Sequence, residues 1–192
     1  VTILALDTTS EFGSLALRKN GVTIAEIALD SKDGFAHLIF QALDDLLAEA
    51  RISLEEIDCF AAASGPGSFT GVRVGLAAVK GLAAATGKPA VGISNLRALA
   101  SLGNLNPVID ARRGEVYTAV YDRDLRLISP ETVQPNTGAA ITPLPRNLAA
   151  AVAYCAELDG PAGWQDPVAL DANYVRRSDA ELFWKDLTEP RA

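Results

Sequence analysis

Ser64-Gly65-Pro66-Gly67-Ser68-Phe69-Thr70-Gly71-Val72-Arg73-Val74-Gly75 lies between an apolar run, Cys59 to Ala63, and an Ala/Gly-rich stretch that ends at Gly87-Lys88-Pro89. The run before it reads as a buried strand. The stretch after it reads as a helix, stopped by Gly87 and Pro89. A strand, a glycine turn and a helix start therefore follow one another. Gly65 and Gly67 permit positive φ and a close backbone approach, and Ser68 or Thr70 can cap the helix. Such a turn can hold a phosphate on its backbone N–H groups, or it can serve only to pack a helix tightly. It has neither the Lys-Ser/Thr pair of a P-loop nor the spacing of the dinucleotide fingerprint. Within the helix, Gly71, Gly75, Ala78, Leu82 and Ala85 recur at alternating steps of four and three, which places them on one face. Glycine in a helix costs about 1 kcal/mol against alanine. Two on one stripe signal a close contact, either with the protein's own sheet or with another molecule.

The 192 residues suffice for one large domain or two small lobes, and 49% of them are apolar against 21% charged. That is the balance of a folded chain with a full core, not of a disordered one. The net charge of −7 argues against a self-sufficient nucleic-acid binder, which carries a basic excess. It leaves room for a subunit of a complex whose other members bind nucleic acid. Cys59 and Cys155 both stand in apolar surroundings and read as buried thiols of a reducing compartment. No apolar run reaches membrane-spanning length. The opening Val1-Thr2-Ile3-Leu4-Ala5-Leu6 is strand-like and does not read as a signal peptide. A soluble cytoplasmic protein without membrane attachment is the expectation.

In chain order, Ile3 to Leu6 reads as a strand ending on Asp7-Thr8-Thr9-Ser10. Ser14 to Leu17 and Val22 to Leu29 follow as strands around Asn20-Gly21, a hairpin signal because a type I′ turn needs φ > 0 at both central residues. The polar stretch from Asp30 to Gly34 reads as a loop. A helix is expected over Ala36 to Ala50, with Ala36, Phe40, Leu43, Leu47 and Ala50 as its apolar face. Ser53-Leu54-Glu55-Glu56 fits a capping box. Ala90 to Ile93 is a further strand, and Ser94 or Asn95 caps a short helix to about Leu102. At Asn104 the pattern restarts, with Leu105 to Asp110, a turn at Gly114, Glu115 to Tyr121, a tight turn at Asp122-Arg123-Asp124, and Leu125 to Ile128. Asp7 to Asn20 and Asp110 to Arg123 are equal spans of 13 residues. The economical reading is a duplicated β-β-β-α unit, one copy in residues 1–103 and a smaller one in residues 104–192. Asn20-Gly21 and Arg123-Asp124 are then expected at hairpin tips. Pro130, Pro135, Pro143 and Pro145 make residues 129–146 read as loop with one edge strand at most. Asn147 to Cys155 reads as a short helix, Asp159 to Asp166 as turns, Ala172 to Arg177 as extended, and Glu181 to Asp186 as a last helical turn.

Three of these stretches together resemble one family. They are Leu4-Ala5-Leu6-Asp7-Thr8-Thr9-Ser10, then Gly65-Pro66-Gly67-Ser68-Phe69-Thr70-Gly71-Val72-Arg73-Val74-Gly75, then Ile109-Asp110-Ala111-Arg112-Arg113-Gly114-Glu115-Val116-Tyr117. They look like the TsaB (YeaZ) family of the bacterial machinery that makes threonylcarbamoyladenosine in tRNA. Tyr174-Val175-Arg176-Arg177 is similar to that family's tyrosine-arginine segment. The resemblance implies an α/β, actin-like (ASKHA, sugar-kinase-like) fold of two related lobes with mixed sheets, the second reduced. It implies a non-catalytic subunit that pairs with the catalytic paralogue TsaD and with the ATPase TsaE. ATP and metal would then lie on partner subunits, tRNA would be reached only through the complex, and the protein alone would form a homodimer. The implied interface is the two first-lobe helices, through Ile39, Phe40, Leu43, Leu47, Gly71, Gly75, Ala78, Leu82 and Ala85.

The residues themselves are poor in catalytic groups. The catalytic paralogue carries an H-x-x-x-H metal pair, whereas here His37 is followed by Gln41. One histidine cannot make the pair, and metal sites need several ligands at fixed spacing. No Ser-His or Cys-His couple stands out. Asp7 and Asp110 end strands and face turns. In actin-like kinases such aspartates hold metal and water near a nucleotide, but either can equally cap its own turn. Asp7, Thr8, Gly65, Gly67, Ser68 and Asp110 are the candidates for nucleotide contact. The alternatives to a partner subunit are an ATP-dependent phosphotransferase, which rests on fold analogy, and a metallopeptidase, which the histidine count disfavours.

Overall fold

Along each central strand the side chains alternate between two cores, as a pleated strand buried on both faces requires. Ile3, Ala5, Ala16, Cys59, Ala61 and Ala63 point to one core. Leu4, Leu6, Leu15, Leu17, Phe60 and Ala62 point to the other. In the computed structural model, which describes residues 1–30 and 34–175, these strands are β1 (Thr2–Asp7), β2 (Gly13–Lys19), β3 (Val22–Leu29), β4 (Cys59–Ala63) and β5 (Ala90–Ile93). They form one mixed sheet in the order β3-β2-β1-β4-β5. β1 is antiparallel to β2 and parallel to β4. Asn20 and Gly21, both at positive φ, turn β2 into β3 as the hairpin signal predicts.

The helices α1 (Ile39–Ala50) and α2 (Phe69–Thr86) cover the leucine-rich face. Ser68 caps α2 by accepting from the Gly71 N–H at 3.2 Å, and Gly87 ends it at φ 65°. α3 (Asn95–Ser101), capped by Ser94, and α4 (Leu148–Gly163) cover the alanine-rich face. There Ala149, Val152, Ala153 and Ala156 are buried against strands whose own side chains are small. α4 comes from the second half of the chain, yet it packs on the first sheet. The second sheet is β6 (Val108–Arg112), β7 (Glu115–Tyr121) and β8 (Leu127–Pro135), all antiparallel. Both halves thus open on a three-stranded meander, and Arg123-Asp124 lies in the turn between β7 and β8. Ile109, Ala119 and Tyr121 of the second sheet join the α3–α4 core.

Several expectations need correction. α1 begins at Ile39, not Ala36, and its buried residues are Ile39, Ala42, Leu43 and Leu46. Phe40 is 57% exposed, so the expected stripe is rotated. Phe35, just ahead of the helix, is buried in the same core and packs beside Gly13. Residues 129–135 are the one edge strand that the reading allowed, continuing β8 from Leu127. β8 tolerates Pro130 and Pro135 because it pairs only with β7 and lies at a sheet edge. α4 runs on past Cys155 to Gly163, broken at Gly160, whose φ of 58° and ψ of −172° are not helical. β6 starts at Val108, not Leu105. Ser31, Lys32 and Asp33, together with Arg176, Arg177 and the turn expected over 181–186, lie outside the described residues. Among the described residues no helix is long and apolar enough to cross a membrane.

The glycine stripe of α2 divides in two. A Cβ on Gly71 would overlap the carbonyl oxygen of Thr8, and one on Gly75 would come within 2.7 Å of Thr8 Oγ1. The close partner of these two glycines is therefore the end of β1, within the same chain. Further along, Ala78 and Leu82 are half-buried and Ala85 is exposed. Gly71→Ala is expected to destabilise the fold by about 1–3 kcal/mol, the range for overpacking, despite alanine's better helix propensity. Gly81, which has nothing within 4 Å of its Cβ position, should behave oppositely. Gly81→Ala should stabilise by about 0.5–1 kcal/mol. Urea-unfolding midpoints of the two variants should move in opposite directions.

Candidate functional site

Thr8 and Thr9 continue β1 into a turn that meets three other elements. The Asp7 carboxylate accepts from the Thr9 N–H at 2.8 Å and from the Thr9 hydroxyl at 2.6 Å. The Thr8 hydroxyl donates to the Gly71 carbonyl at 2.7 Å. Ser68 N–H donates to the Thr9 carbonyl at 2.7 Å, and a Cβ on Gly67 would lie 2.5 Å from that same oxygen. Gly67 is glycine because the backbone of Thr9 passes over it. Asn95, at the start of α3, donates to the Thr9 hydroxyl and accepts from the Gly65 N–H at 3.2 Å. The backbone N–H of Asn95 reaches the Gly65 carbonyl at 2.8 Å. Buried polar groups must be paired, and here one asparagine serves two turns at once.

This knot forms the floor of a cleft between the first turn of α2 and the second sheet. The cleft measures about 680 Å³. Gly67, Ser68 and Phe69 line one wall, and Ile109, Asp110 and Tyr117 line the other. A neighbouring hollow of about 530 Å³ opens beside Thr8, Phe12, Phe35 and Val74. Ser10, Glu11 and Ser68 line both and so divide them. Phe69 and Thr70 occupy the first turn of α2, where backbone N–H groups have no intrahelical acceptor.

The nucleotide candidates are therefore split by the structure. Gly67, Ser68 and Asp110 face the cleft, and Thr8 lines the hollow beside it. Gly65 is buried at φ 98°, with its N–H and carbonyl both committed to Asn95. Asp7 is 2% exposed and turned inward, so it does not reach the cleft. The hydroxyl and N–H of Thr9 draw it in, where a glycine at that position would offer no hydroxyl. Asp110 is exposed and caps the next turn, accepting from the Arg112 N–H at 2.8 Å. Arg112, Arg113 and Gly114 in that turn all have positive φ. His37 and Gln41 are both exposed on the surface near the start of α1. Among the described residues no three His, Cys, Asp or Glu side chains gather as a metal site. The apolar lining of the cleft and the role of Asn95 were not foreseen. An asparagine after a capping serine reads as surface, and nothing local signals that it points inward.

A family model described as TsaD, tRNA N6-adenosine threonylcarbamoyltransferase, matches residues 26–158. The tRNA threonylcarbamoyladenosine biosynthesis protein TsaB of Escherichia coli is 38% identical over 129 residues, covering 64% of this chain and 55% of that protein. The Bacillus subtilis TsaB is 35% identical over 126 residues, again covering 55% of the relative. The chain thus spans about half the length of the curated relatives it matches. An uncharacterized protein of Mycobacterium tuberculosis is 31% identical over 94% of both chains. Among solved structures, YeaZ of Pseudomonas aeruginosa superposes with a TM-score of 0.76 at 27% identity, over 90% of this chain and 99% of that one.

Burial pushes the Asp7 carboxyl up from the usual 3.8 to about 6, against the two Thr9 hydrogen bonds, which pull it down. A raised folded-state pKa means that the folded protein keeps a proton the unfolded chain has lost. This contribution is fully present below about pH 4 and is lost as pH rises through about 6. At neutral pH the charged, buried carboxylate costs on the order of 3 kcal/mol, at 1.36 kcal/mol per pKa unit. Asp7→Asn keeps an acceptor for Thr9 and removes the charge. Its unfolding midpoint in urea is expected to exceed that of the parent at pH 7.5 and to converge with it at pH 4.

Proposed function

The chain belongs to the TsaB/YeaZ family, within the TsaD group whose model it matches over residues 26–158, and from that premise we propose that it is a non-catalytic subunit of the tRNA threonylcarbamoyladenosine machinery. In this reading it pairs with the catalytic paralogue TsaD, joined by the ATPase TsaE, in the cytoplasm. ATP and metal sit on those partners, and tRNA is reached only through the complex. Alone, the protein closes the same surface on a second copy as an isologous homodimer.

The observation that carries this reading is the outer face of α2. Ala77, Gly81, Ala84 and Ala85 are all exposed, beside half-buried Ala78 and Leu82. Small residues let a second helix approach closely, and helices in contact sit about 8–10 Å apart depending on the side chains between them. Phe40 of α1 adds a large apolar group, 57% exposed. α1 and α2 pack on the same face of the sheet and so offer a helix pair to a helix pair. Of the interface candidates, Phe40 and Ala85 are exposed, and Leu47, Gly71, Ala78 and Leu82 are half-buried. Ile39, Leu43 and Gly75 are buried in the chain's own core and can act only as backing. The inward-turned Asp7 supports a subunit without nucleotide chemistry of its own.

Ala84→Arg puts a charge into the proposed contact without touching the core. The variant is expected to keep its circular dichroism spectrum, to sediment as a monomer, and to lose the paralogue on co-purification. A folded Ala84→Arg protein that still dimerises and still holds the paralogue would remove this face from consideration. Gly75→Leu should unfold the chain instead, because it drives a side chain into Thr8.

The protein alone should also bind tRNA poorly. Its net charge of −7 repels a polyanion, and counterion release needs clustered cations. Gel-shift titration at physiological salt tests this, and tight binding without any partner would contradict it.

A further inference from the structure

We infer that Asn173–Tyr174 is a releasable strap that ties the start of α2 to β8 and so holds α2 and the second sheet at a fixed separation. Leu170, 1% exposed, packs over Gly92, and Ala172 is the last residue before the strap that touches the same core. Asn173 and Tyr174 are held by a short set of polar and aromatic contacts. The Asn173 N–H donates to the Ser64 carbonyl at the end of β4, at 2.8 Å. Its side-chain amide donates to Glu131 of β8 at 2.6 Å. The other oxygen of Glu131 accepts from the Tyr121 hydroxyl of β7 at 2.7 Å. Tyr174 then reaches α2, where its hydroxyl accepts from the Arg73 guanidinium at 2.5 Å. That guanidinium lies over the Phe69 ring at 3.3 Å and over the Tyr174 ring at 5.3 Å, and it also donates to the Phe69 carbonyl at 3.2 Å.

These contacts join α2, whose start forms one wall of the cleft, to the sheet that carries the other. β8 belongs to the second sheet, and Phe69 lines the cleft from α2. Phe69 is shared, because the same residue faces the cleft and stacks on the strap's arginine. The strap is releasable because it buries little. Tyr174 is 49% exposed and Phe69 63% exposed, and Arg73 is exposed as well. Segments held by a few accessible polar contacts open at lower free energy than a packed core. The core on either face of the first sheet contains neither Asn173 nor Tyr174, so the strap can detach without unfolding it. A molecule that enters the cleft and displaces Phe69 loosens the arginine stack. Whatever engages Tyr174 from outside acts on the first turn of α2.

The test places spin labels on Thr70→Cys and Gln134→Cys, both exposed positions on opposite sides of the strap. Cys59 and Cys155 are buried and do not take label. The parent protein should give one narrow distance distribution by double electron–electron resonance. Asn173→Ala and Tyr174→Ala should lengthen and broaden it. Amide exchange over residues 69–73 should rise several-fold, while the thermal midpoint stays close to that of the parent. Tyr174→Phe, which keeps the ring and loses only the hydroxyl, should fall between. Distributions and exchange that match the parent in both alanine variants would overturn the strap. So would cooperative loss of the whole fold in Tyr174→Ala and Tyr174→Phe alike, since a strap that cannot be cut without unfolding is part of the core.

Discussion

The carbonyl oxygen of Thr8 occupies the place where residue 71 would carry a Cβ, and much of the molecule is arranged around that backbone contact. It brings the end of β1 against the first turn of α2. It is closed by the Thr8 hydroxyl on the Gly71 carbonyl and by Ser68 N–H on the Thr9 carbonyl. Asn95 then ties the same turn to Gly65 and to α3. Glycine at 67, 71 and 75 is thus one requirement stated three times. A strand end and a helix start can approach this closely only where no side chain stands between them.

The elements whose signals are local were legible. β7 spans the residues its alternation predicts, Asn20-Gly21 turns its hairpin, and Ser68 and Gly87 bound α2 as their chemistry requires. The glycine stripe was legible as a close contact, but its partner was not. Periodicity shows that a face is special, and only the fold shows what lies opposite. Phe40, expected on the apolar face, is exposed while Ile39 is buried, because a rotation of one position separates the two stripes. The prolines of β8 left room for one edge strand but hid its length, since Pro is tolerated where a strand pairs on one side only. For the candidate site, Gly67, Ser68 and Asp110, named from motif and strand ends, line the cleft. The inward turn of Asp7 depends on Thr9, and the position of Asn95 on a contact across 86 residues. Neither is written in any short window.

α2 carries three separate duties, each on its own part of its surface. The first turn, with Ser68, Phe69 and Arg73, forms one wall of the cleft and receives the strap. The inward stripe of Val72, Leu76, Val79 and Ala83 belongs to the core. The outer strip of Ala77, Gly81 and Ala84 is left to solvent, and it is the surface a partner helix would use. This division makes the helix rich in small residues on two faces for different reasons. It also explains why its composition alone could not say which face met the sheet and which stayed open to solvent.

The placement of α4 bears on how the chain is made. Residues 148–156 fill the alanine-lined face of a sheet whose strands all lie before residue 94. A ribosome that has released only the first meander and the first two helices has produced a sheet with one covered face and one bare one. Ile3, Ala5, Cys59 and Ala61 stay open to water, or to a chaperone, until residues 148–156 emerge. Closing that face joins segments about 145 residues apart, a distant pairing of the kind that slows folding. The first sheet therefore cannot finish its second core until residues 148–156 are available.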